Sequence, residues 1–361
     1  MNFKNKFLAI LFAVLACNVA FAYDNSQPTS GCERTQSCGC DIPQPSCTSA
    51  YNHPANIDVC GSWDFFVTGT FLWWQPRQDQ MELAQTLYAN QSINVGSIHG
   101  LSFDWEPAFK VGAGYNFNWD NWLAYVQYTR VNSSTSSTVN NTVETGKTFH
   151  DTWLTQTTDA DLQKVVGKWD LNFNIIDLEC SRPYYNGKKL TFTTHYGLKG
   201  GWIDQKLKID SSTATVGYSA EYSTDSWLIG PRAGIYTNWN FCEGFRAFGN
   251  VAASIFYQKF NKMTYRELAV NDPTQWLRAT DYSTSTLSPS LEMLVGFGWE
   301  SYFANNNWHF DGFVGYETQV YFHQNMLRFH EQISLSAPPY SFNTPGDLVF
   351  HGLTVTARVD F

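Results

Sequence analysis

The sequence is poor in charged residues and contains no long apolar run beyond its start. Asp, Glu, Lys and Arg make up 15% of the 361 residues, whereas a soluble domain carries about 25%. Lys and Arg number 23 against 32 acidic residues, so the chain lacks the basic surface that nucleic-acid binding requires. After residue 22 no apolar stretch approaches the ~20 residues of a membrane-spanning helix. These absences exclude a nucleic-acid partner and a helical membrane protein.

The first 22 residues have the pattern of a secretory signal peptide. Two lysines precede an apolar run over 7–16, and Ala20-Phe21-Ala22 follows as a small-residue cleavage site. We therefore predict a signal peptide over 1–22 and a mature chain that begins at Tyr23. An alternative cleavage before Cys17 would leave a lipid-modified cysteine, and it ranks second because Ala20-Phe21-Ala22 is the better site.

Aromatic residues make up 17% of the chain, and many lie in segments where apolar and polar residues alternate. In "FDWEPAFKVGAGYNFNW" (103–119), one face carries aromatic and aliphatic side chains and the other carries mostly charged, amide and glycine residues. A period of two is typical of a β-strand with one apolar face. The same alternation, less clean in some places, predicts ten strands: 63–75, 103–119, 122–131, 169–180, 190–203, 227–239, 245–258, 289–301, 308–323 and 353–361.

The connections between these segments alternate between short and long. Short turns contain Gly, Pro, Asn and Asp, and the long connections are 76–102, 132–168, 204–225, 264–286 and 326–346. Transmembrane β-barrels have this organisation, with short periplasmic turns and long outer loops. We therefore predict an all-β fold, an antiparallel transmembrane β-barrel over 63–361 with an even number of strands. Hidden hairpins in 76–102 and 132–168 would raise ten strands to 12 or 14. A soluble antiparallel sandwich is the alternative.

The chain ends on "LTVTARVDF" (353–361), an alternating strand that reaches the last residue. Free ends usually fray, so this strand is predicted to pair with the first one and close the barrel. Its terminal Phe361 fits an assembly signal for the barrel-assembly machinery. The expected partners are that machinery and outer-membrane lipid.

Several motifs, in order, resemble the Legionella-type major outer membrane protein family, which also occurs in relatives of the chlamydiae. They are "FLWWQPR" (71–77), "FDWEPAFKVGAGYN" (103–116), "WLIGPRAGIYTNW" (227–239), "FGNVAASIFYQKF" (248–260) and "GYETQVYF" (315–322). The resemblance covers about residues 63–361. It implies an abundant surface-exposed barrel of the bacterial outer membrane with porin activity, linked in some members to attachment to host cells. It supplies no catalytic motif.

The seven cysteines of the mature chain are predicted to lie on the periplasmic side. Five of them precede the first strand, in a segment rich in Pro, Ser and Gly, so residues 23–62 are predicted to form a cysteine-rich periplasmic leader. Disulfides are the default in an oxidising compartment, and an odd number leaves one thiol free or paired with another chain. The alternatives are cross-links to other cysteine-rich envelope proteins and a leader bonded to itself. The candidates are Cys32, Cys38, Cys40, Cys47, Cys60, Cys180 and Cys242.

Charged residues predicted to face the barrel lumen are the candidate functional residues. They are Asp104, Glu106, Lys110, Arg232, Arg246, Glu292, Glu300, Glu317 and Arg358. Rings of such charges select permeating solutes by charge and size. The alternative is that they form structural ion pairs, because eight-stranded barrels are filled by side chains and wide channels need sixteen or more strands.

No catalytic, metal-binding or cofactor-binding motif accompanies these charges. The sequence contains neither a Gly-x-Ser-x-Gly elbow nor a His-Glu-x-x-His motif. We therefore expect a porin for passive diffusion of small hydrophilic solutes, with no enzyme activity, no metal and no cofactor. The alternative is a structural or adhesive surface protein with a plugged barrel that is disulfide-linked into the envelope.

Overall fold

The computed structural model describes residues 57, 59, 63–88, 96–117, 121–141, 147–153, 162–186, 189–242, 244–269, 276–331, 340–343 and 345–361. The predicted signal peptide and most of the predicted leader lie outside these residues. All regular elements within the described part are β-strands. No helix in this part is long and apolar enough to cross a membrane.

Fifteen strands follow one another along the chain. They are β1 (Phe65–Gln78), β2 (Glu82–Tyr88), β3 (Gly96–Gly100), β4 (Glu106–Asn116), β5 (Leu123–Asn140), β6 (Lys147–Asp151), β7 (Lys164–Asn186), β8 (Leu190–Ser212), β9 (Gly217–Cys242), β10 (Phe245–Ala269), β11 (Trp276–Phe303), β12 (Trp308–Asn325), β13 (Arg328–Glu331), β14 (Tyr340–Asn343) and β15 (Gly346–Asp360).

Ten of these strands close into an antiparallel barrel. Its order around the ring is β1, β4, β5, β7, β8, β9, β10, β11, β12 and β15, and β15 pairs with β1 to complete it. That pairing joins Phe66 to Asp360 at one end and Gln78 to Leu348 at the other. Closure gives every strand two hydrogen-bonded neighbours, which is required of a sheet that spans lipid. The structure confirms the predicted antiparallel barrel with an even strand number.

The last residue is part of this closure. The N–H of Phe361 donates to the carbonyl oxygen of Phe65 over 3.0 Å, and its ring packs 5.8 Å from the ring of Trp308. The chain end is therefore attached to the first strand and to a neighbouring strand. The role of Phe361 as an assembly signal remains a prediction.

The barrel has two unlike ends, called here the short-turn end and the long-loop end. At the short-turn end, tight connections use left-handed backbone: φ is 56° at Asn121 and 58° at Asn305. Gly244 has φ +80°, and a Cβ there would lie 2.2 Å from the carbonyl oxygen of Glu300, so this turn requires glycine. In transmembrane barrels the short turns are periplasmic.

The outward faces of the strands carry an apolar band between two aromatic levels. On β10, Phe245 and Tyr257 are exposed at the two levels, and Val251 and Ile255 are exposed between them. At about 3.3 Å per residue the step from 245 to 257 covers about 40 Å of strand, or about 28 Å of height at a tilt of about 45°. This height matches the apolar band of a membrane barrel. Other exposed aromatic residues are Phe65, Trp239, Phe303 and Trp308 near the short-turn end and Trp73, Trp105, Trp202 and Tyr316 nearer the long-loop end.

Several barrel strands continue past the aromatic level at the long-loop end. The predicted loops at 204–225 and 264–286 are mostly strand, so the sequence placed the outer strand ends too early. The reason is that the outward face changes from apolar to charged, as in the exposed pair Lys206–Glu221 at 2.8 Å. The outward side chains are hydrated in this part of the strands, and the apolar side chains point inward.

Two small sheets accompany the barrel at the long-loop end. Strands β3, β2 and β6 form a three-stranded sheet, and β13 pairs with β14. The extra strands considered for 76–102 and 132–168 therefore exist, but they form a separate sheet and the barrel keeps ten strands. The β3-β2-β6 sheet packs on the inner wall: a Cβ on Gly167 of β7 would lie 2.3 Å from Cδ2 of Leu83 on β2.

Candidate functional site

The barrel lumen gathers most of the charged residues that the sequence singled out. The cavity at its short-turn end is lined by seven of the nine candidates: Lys110, Arg232, Arg246, Glu292, Glu300, Glu317 and Arg358. Asp104 precedes β4 and is exposed, and Glu106 is the half-buried first residue of β4. Neither of these two lines the cavity.

Arg232 on β9 stands at the centre of a buried ion network. Its guanidinium donates to Glu179 at 2.5 Å and to Glu292 at 3.0 Å. The ammonium of Lys199 on β8 lies 2.5 Å from Glu292 and 3.4 Å from Asp177. Glu292 thus forms ion pairs with two cations that lie on two other strands. Buried charges of this kind persist only when they are paired.

A second ion pair crosses the lumen from β4 to β12. Lys110 donates to Oε1 of Glu317 over 2.6 Å, and both side chains are less than a tenth exposed. The other carboxylate oxygen accepts from the hydroxyl of Thr354 on β15 at 2.9 Å. Since two strands separate β4 from β12 in the ring, this pair spans the interior rather than bridging neighbours.

Arg246 joins three neighbouring strands near the short-turn end. One nitrogen of its guanidinium donates to both oxygens of Asp311 on β12 at 2.6 and 2.7 Å. Another donates to Glu300 on β11 at 2.9 Å. Arg358 on the adjacent strand β15 is the cross-strand partner of Asp311. Its guanidinium is 3.6 Å from the centre of the Phe66 ring and contacts Asp360 at 2.5 Å.

Six partners in this network were not among the sequence-predicted residues. They are Asp177, Glu179, His195, Lys199, Asp311 and Asp360. On β7 the charged pair Asp177 and Glu179 is in phase with Phe173 and Ile175, which are also inward. The alternation along β7 therefore indicated that Asp177 and Glu179 face inward. They were missed because the inward face of β7 is apolar in one half and charged in the other.

Aromatic side chains close the lumen above this network. The aromatic barrier consists of Trp74, Phe173, Phe256, Tyr321 and Phe350, all buried. The ring of Phe173 lies 4.6 Å from that of Phe350 and 5.3 Å from that of Tyr321. Strand β7 is five positions from β12 in the ten-strand ring, so Phe173 and Tyr321 come from opposite walls. The barrier therefore reaches across the full diameter.

The β3-β2-β6 sheet, called here the outer cap, lies above the barrier. Indole Nε1 of Trp153, just after β6, donates to the carbonyl oxygen of Glu82 at 2.5 Å. Tyr222 on the barrel wall donates to the carbonyl oxygen of Trp153 at 2.9 Å. Leu83 and Trp153 are almost fully buried. The long-loop half of the interior is thus filled mainly by apolar side chains, with buried polar residues such as Gln258 and Glu267 among them.

Below the barrier the interior contains a polar cavity of about 360 Å³. It extends from Glu317 and Gln319 at mid-barrel to Asn240 and Tyr302 near the short-turn end, and Ile57 of the predicted leader lines it. Val59 of the same segment is buried. Charges of both signs face this space. Among the described residues no cluster of three or more His, Cys, Asp or Glu has the arrangement of a metal site.

The structure describes the side chain of one candidate disulfide cysteine. Cys180 is a free thiol inside β7, not at a strand end as the sequence suggested. It alternates with Glu179, which points inward, so its thiol lies on the outer wall next to Tyr196 on β8. Cys242 is the last residue of β9 rather than a turn residue. The five leader cysteines lie outside the described residues.

Comparisons with known proteins agree with this architecture. The family described as Legionella pneumophila major outer membrane protein precursor matches residues 58–361. No curated protein matches the chain.

Solved structures with similar folds are outer-membrane barrels of low sequence identity. The outer membrane protease OmpT of Escherichia coli is 9% identical and has a TM-score of 0.38, with 87% of this chain and 99% of that chain covered. The CymD monoaromatic hydrocarbon channel is 12% identical, with a TM-score of 0.31 and coverages of 82% and 88%. A Pseudomonas aeruginosa FadL homologue is 7% identical, with a TM-score of 0.25 and coverages of 86% and 93%.

Proposed function

Since the chain belongs to the Legionella major outer membrane protein family and resides in the bacterial outer membrane, we propose that it acts as a structural, surface-presenting barrel closed to solutes. This is the plugged alternative that the sequence left open. The observation that carries it is the contact between Phe173 and Tyr321, which brings opposite walls of the barrel together.

The energetics of the barrier support a closed resting state. Fully burying one phenylalanine side chain contributes about 1.5–3 kcal/mol, and the barrier contains three of them beside Trp74 and Tyr321. Separating the rings to admit water would lose a large part of that free energy. The ion pairs that cross the lumen below the barrier would also have to break. Open conformations are therefore rare in this proposal.

The long-loop end supports the surface-presenting part of the proposal. Strands β7 to β11 rise above the apolar band, and their outward faces carry hydrated pairs such as Lys208–Asp210 and Arg266–Asp281. Such a wall displays polar residues to the exterior. We propose that outer-membrane lipid, the barrel-assembly machinery and cysteine-rich envelope proteins are its partners, and that no chemical step or cofactor is involved.

A diffusion porin is the second candidate, favoured by the cavity at the short-turn end. This cavity holds about 360 Å³ and is lined by residues of both charges, the kind of lining that a pore for hydrophilic solutes uses. In this candidate the aromatic barrier and the outer cap must move aside before a solute can pass. The diffusion porin differs from the closed barrel in one measurable property, which is steady conductance.

Planar-bilayer recording of the purified full chain tests the proposal. We expect many clean insertions without stepwise openings, next to a sixteen-stranded porin that conducts in the same bilayers. Reproducible openings of a single size would refute the closed barrel and establish the porin. Insertion itself is checked by protease protection of the reconstituted barrel.

A further inference from the structure

The outer wall of the barrel changes from apolar to cationic along β10. Ile255 is exposed in the apolar band, Tyr257 is exposed at the aromatic level nearer the long-loop end, and Lys259 is the next outward residue. Two residues cover about 7 Å of strand, or about 5 Å of height at a tilt of about 45°. Lys259 therefore lies at the level of the lipid head groups, just outside the aromatic level.

A β-bulge follows directly on the same strand. The pairing of β10 with β11 shifts by one residue between Phe260 and Met263, and its pairing with β9 shifts between Phe260 and Lys262. Asn261 and Lys262 are both exposed, whereas Phe260 and Met263 are buried. The extra residue interrupts the alternation, so two consecutive polar side chains are exposed beside Lys259. Bulges in proteins often redirect a side chain in this way.

The two lysines of this segment differ from their basic neighbours on the outer wall. The other outward basic residues of β8 and β10 are held by acids: Lys206 by Glu221, Lys208 by Asp210 and Arg266 by Asp281. Within the described part of the chain neither Lys259 nor Lys262 forms an ion pair. Free cations at the head-group level strengthen the binding of anionic lipid.

Hydroxyl groups lie beside the lysines on the neighbouring strand β11. Ser285 is the cross-strand partner of Lys259, and its hydroxyl accepts a hydrogen bond from Tyr257 over 3.2 Å. Ser283 is the next outward residue of β11, and both serines are exposed. All of these polar side chains carry donors, which suits an anion with several acceptor oxygens. The head-group patch is defined here as Lys259, Asn261, Lys262, Ser283 and Ser285.

Two carboxylates limit this patch on the side of β9. Asp225 is the cross-strand partner of Lys262, and Asp204 on β8 is the partner of Asp225. Carboxylates repel an anion, whereas the serines on the β11 side do not. The favoured position for an anion is therefore above Lys259 and Ser285, between β10 and β11.

The wall below the head-group patch suits acyl chains. Leu287, Leu291 and Ile255 are exposed on the outer faces of β11 and β10. Between these residues and the patch, the ring of Tyr257 lies 5.7 Å from that of Trp227. Rings with one apolar and one polar end favour the boundary between acyl chains and head groups.

The wall above the head-group patch remains polar. The hydroxyls of Ser223 and Thr264 lie 2.6 Å apart, and Arg266 pairs with Asp281 at 2.8 Å. From the membrane outward, the wall thus presents apolar, aromatic, cationic and hydrated polar groups in turn. A phosphorylated glycolipid has the matching order of acyl chains, phosphorylated sugars and further sugars.

We propose that the head-group patch binds a phosphorylated glycolipid of the outer leaflet. A phosphate of this lipid accepts hydrogen bonds from Lys259, Lys262 and Ser285, while its acyl chains lie along Leu287 and Ile255. The site adds a specific position to the general contact between the barrel and outer-membrane lipid. Because it lies on the outer wall, it goes beyond the proposed function and does not depend on whether the lumen conducts.

Native mass spectrometry of the detergent-solubilised full chain, titrated with bisphosphorylated lipid A, measures the binding constant of the first lipid. K259Q/K262Q should bind lipid A about 30-fold more weakly, because each lysine near a lipid surface contributes about a factor of five. The matched control K206Q/K208Q removes the same charge from β8 and should keep the wild-type constant. K259R/K262R retains the charge and should also bind lipid A.

The chemistry of the lipid is tested with the same protein. Dephosphorylated lipid A should bind the wild type about as weakly as lipid A binds K259Q/K262Q, and phosphatidylglycerol should bind more weakly than lipid A. Phosphatidylglycerol that binds as tightly as lipid A, with the same loss in K259Q/K262Q, would overturn the glycolipid as the ligand.

Two further results would overturn the site itself. One is an undiminished constant in folded K259Q/K262Q, and the other is an equal loss in K206Q/K208Q, which would reduce the effect to net charge. Heat-modifiable mobility in gels establishes folding of each variant. The single variant K259Q repeats the test if the double variant does not fold. Conductance of the barrel has no bearing on these outcomes, so the site and the closed lumen are tested separately.

Discussion

Phe173 and Tyr321 touch across the barrel, with ring centres 5.3 Å apart and planes inclined at 75°. Their strands, β7 and β12, stand on opposite sides of the ten-strand ring. An edge-to-face contact of this kind adds about 0.5–1.5 kcal/mol beyond the burial of the rings. The two walls thus attract each other directly at this level, which supports the proposed closure of the lumen.

The first prediction concerns this contact. F173A should lower the free energy of unfolding by about 3–5 kcal/mol, since it leaves a cavity among buried rings. In a double-mutant cycle with Y321A, the coupling energy should be about 0.5–1.5 kcal/mol. Urea unfolding in detergent micelles measures both. F71A is the control, because Phe71 is about half exposed on the outer face of β1. A coupling energy near zero would contradict direct contact across the lumen.

The second prediction concerns the carboxylate shared by Lys199 and Arg232. E292Q leaves these buried cations with too few anions, so we expect a loss of about 3–5 kcal/mol in unfolding free energy. The matched control E221Q breaks the exposed pair with Lys206 and should cost less than about 1 kcal/mol. Equal losses in the two variants would show that the interior of the barrel is as hydrated as its surface.

The third prediction locates the membrane on the outer wall. Ile255 is 59% exposed between the two aromatic levels of β10, so I255R puts a charge into lipid and should cost about 2–4 kcal/mol. S134R is the control, because Ser134 is exposed on β5 beyond the aromatic level, and its effect should be small. Unfolding in lipid vesicles measures the difference. A harmless I255R would mean that this face does not contact acyl chains.

The fourth prediction concerns the cysteines. We propose that the leader, residues 23–62, is periplasmic and forms disulfides with neighbouring envelope proteins. Native envelopes separated without reductant should then show high-mass species that collapse to the monomer on reduction. C180S should leave this pattern unchanged, because the thiol of Cys180 faces the outer wall beside Tyr196.

Two outcomes would contradict the fourth prediction. A monomer with one alkylatable thiol in unreduced envelopes would rule out the cross-links. Labelling of Cys180 by a membrane-impermeant reagent on intact cells would place the short-turn end outside and invert the barrel. A bilayer-soluble maleimide is the positive control for the thiol.

The strands were predictable to different degrees at their two ends. For β10 the sequence predicted 245–258, and the strand is Phe245–Ala269. The inner end is marked by a turn with Gly244, whereas the outer end has no turn signal where the band ends. The alternation continues past the membrane, but its exposed side becomes charged. A prediction based on lipid-facing aromatic residues therefore ends the strand at the edge of the membrane.

The candidate site shows a similar division. Arg232 and Glu292 stood out from sequence because each is a charge on a clean alternating strand. Their partners Asp177 and Lys199 did not, because β7 and β8 also carry apolar inward residues. Which charges pair across the lumen depends on the stagger of strands that are far apart in sequence, and no local pattern contains that stagger.

The sequence by itself determined that this chain is an antiparallel membrane barrel of even strand number, because a period of two assigns each side chain to a face of its strand. It left the lumen undecided between a pore and a plug. The contacts that support the proposed plug arise only in the tertiary structure. Ten strands bring the walls close enough for Phe173 and Tyr321, 148 residues apart in the chain, to meet. The physical reason is that the width and stagger of a closed sheet decide which side chains share its interior.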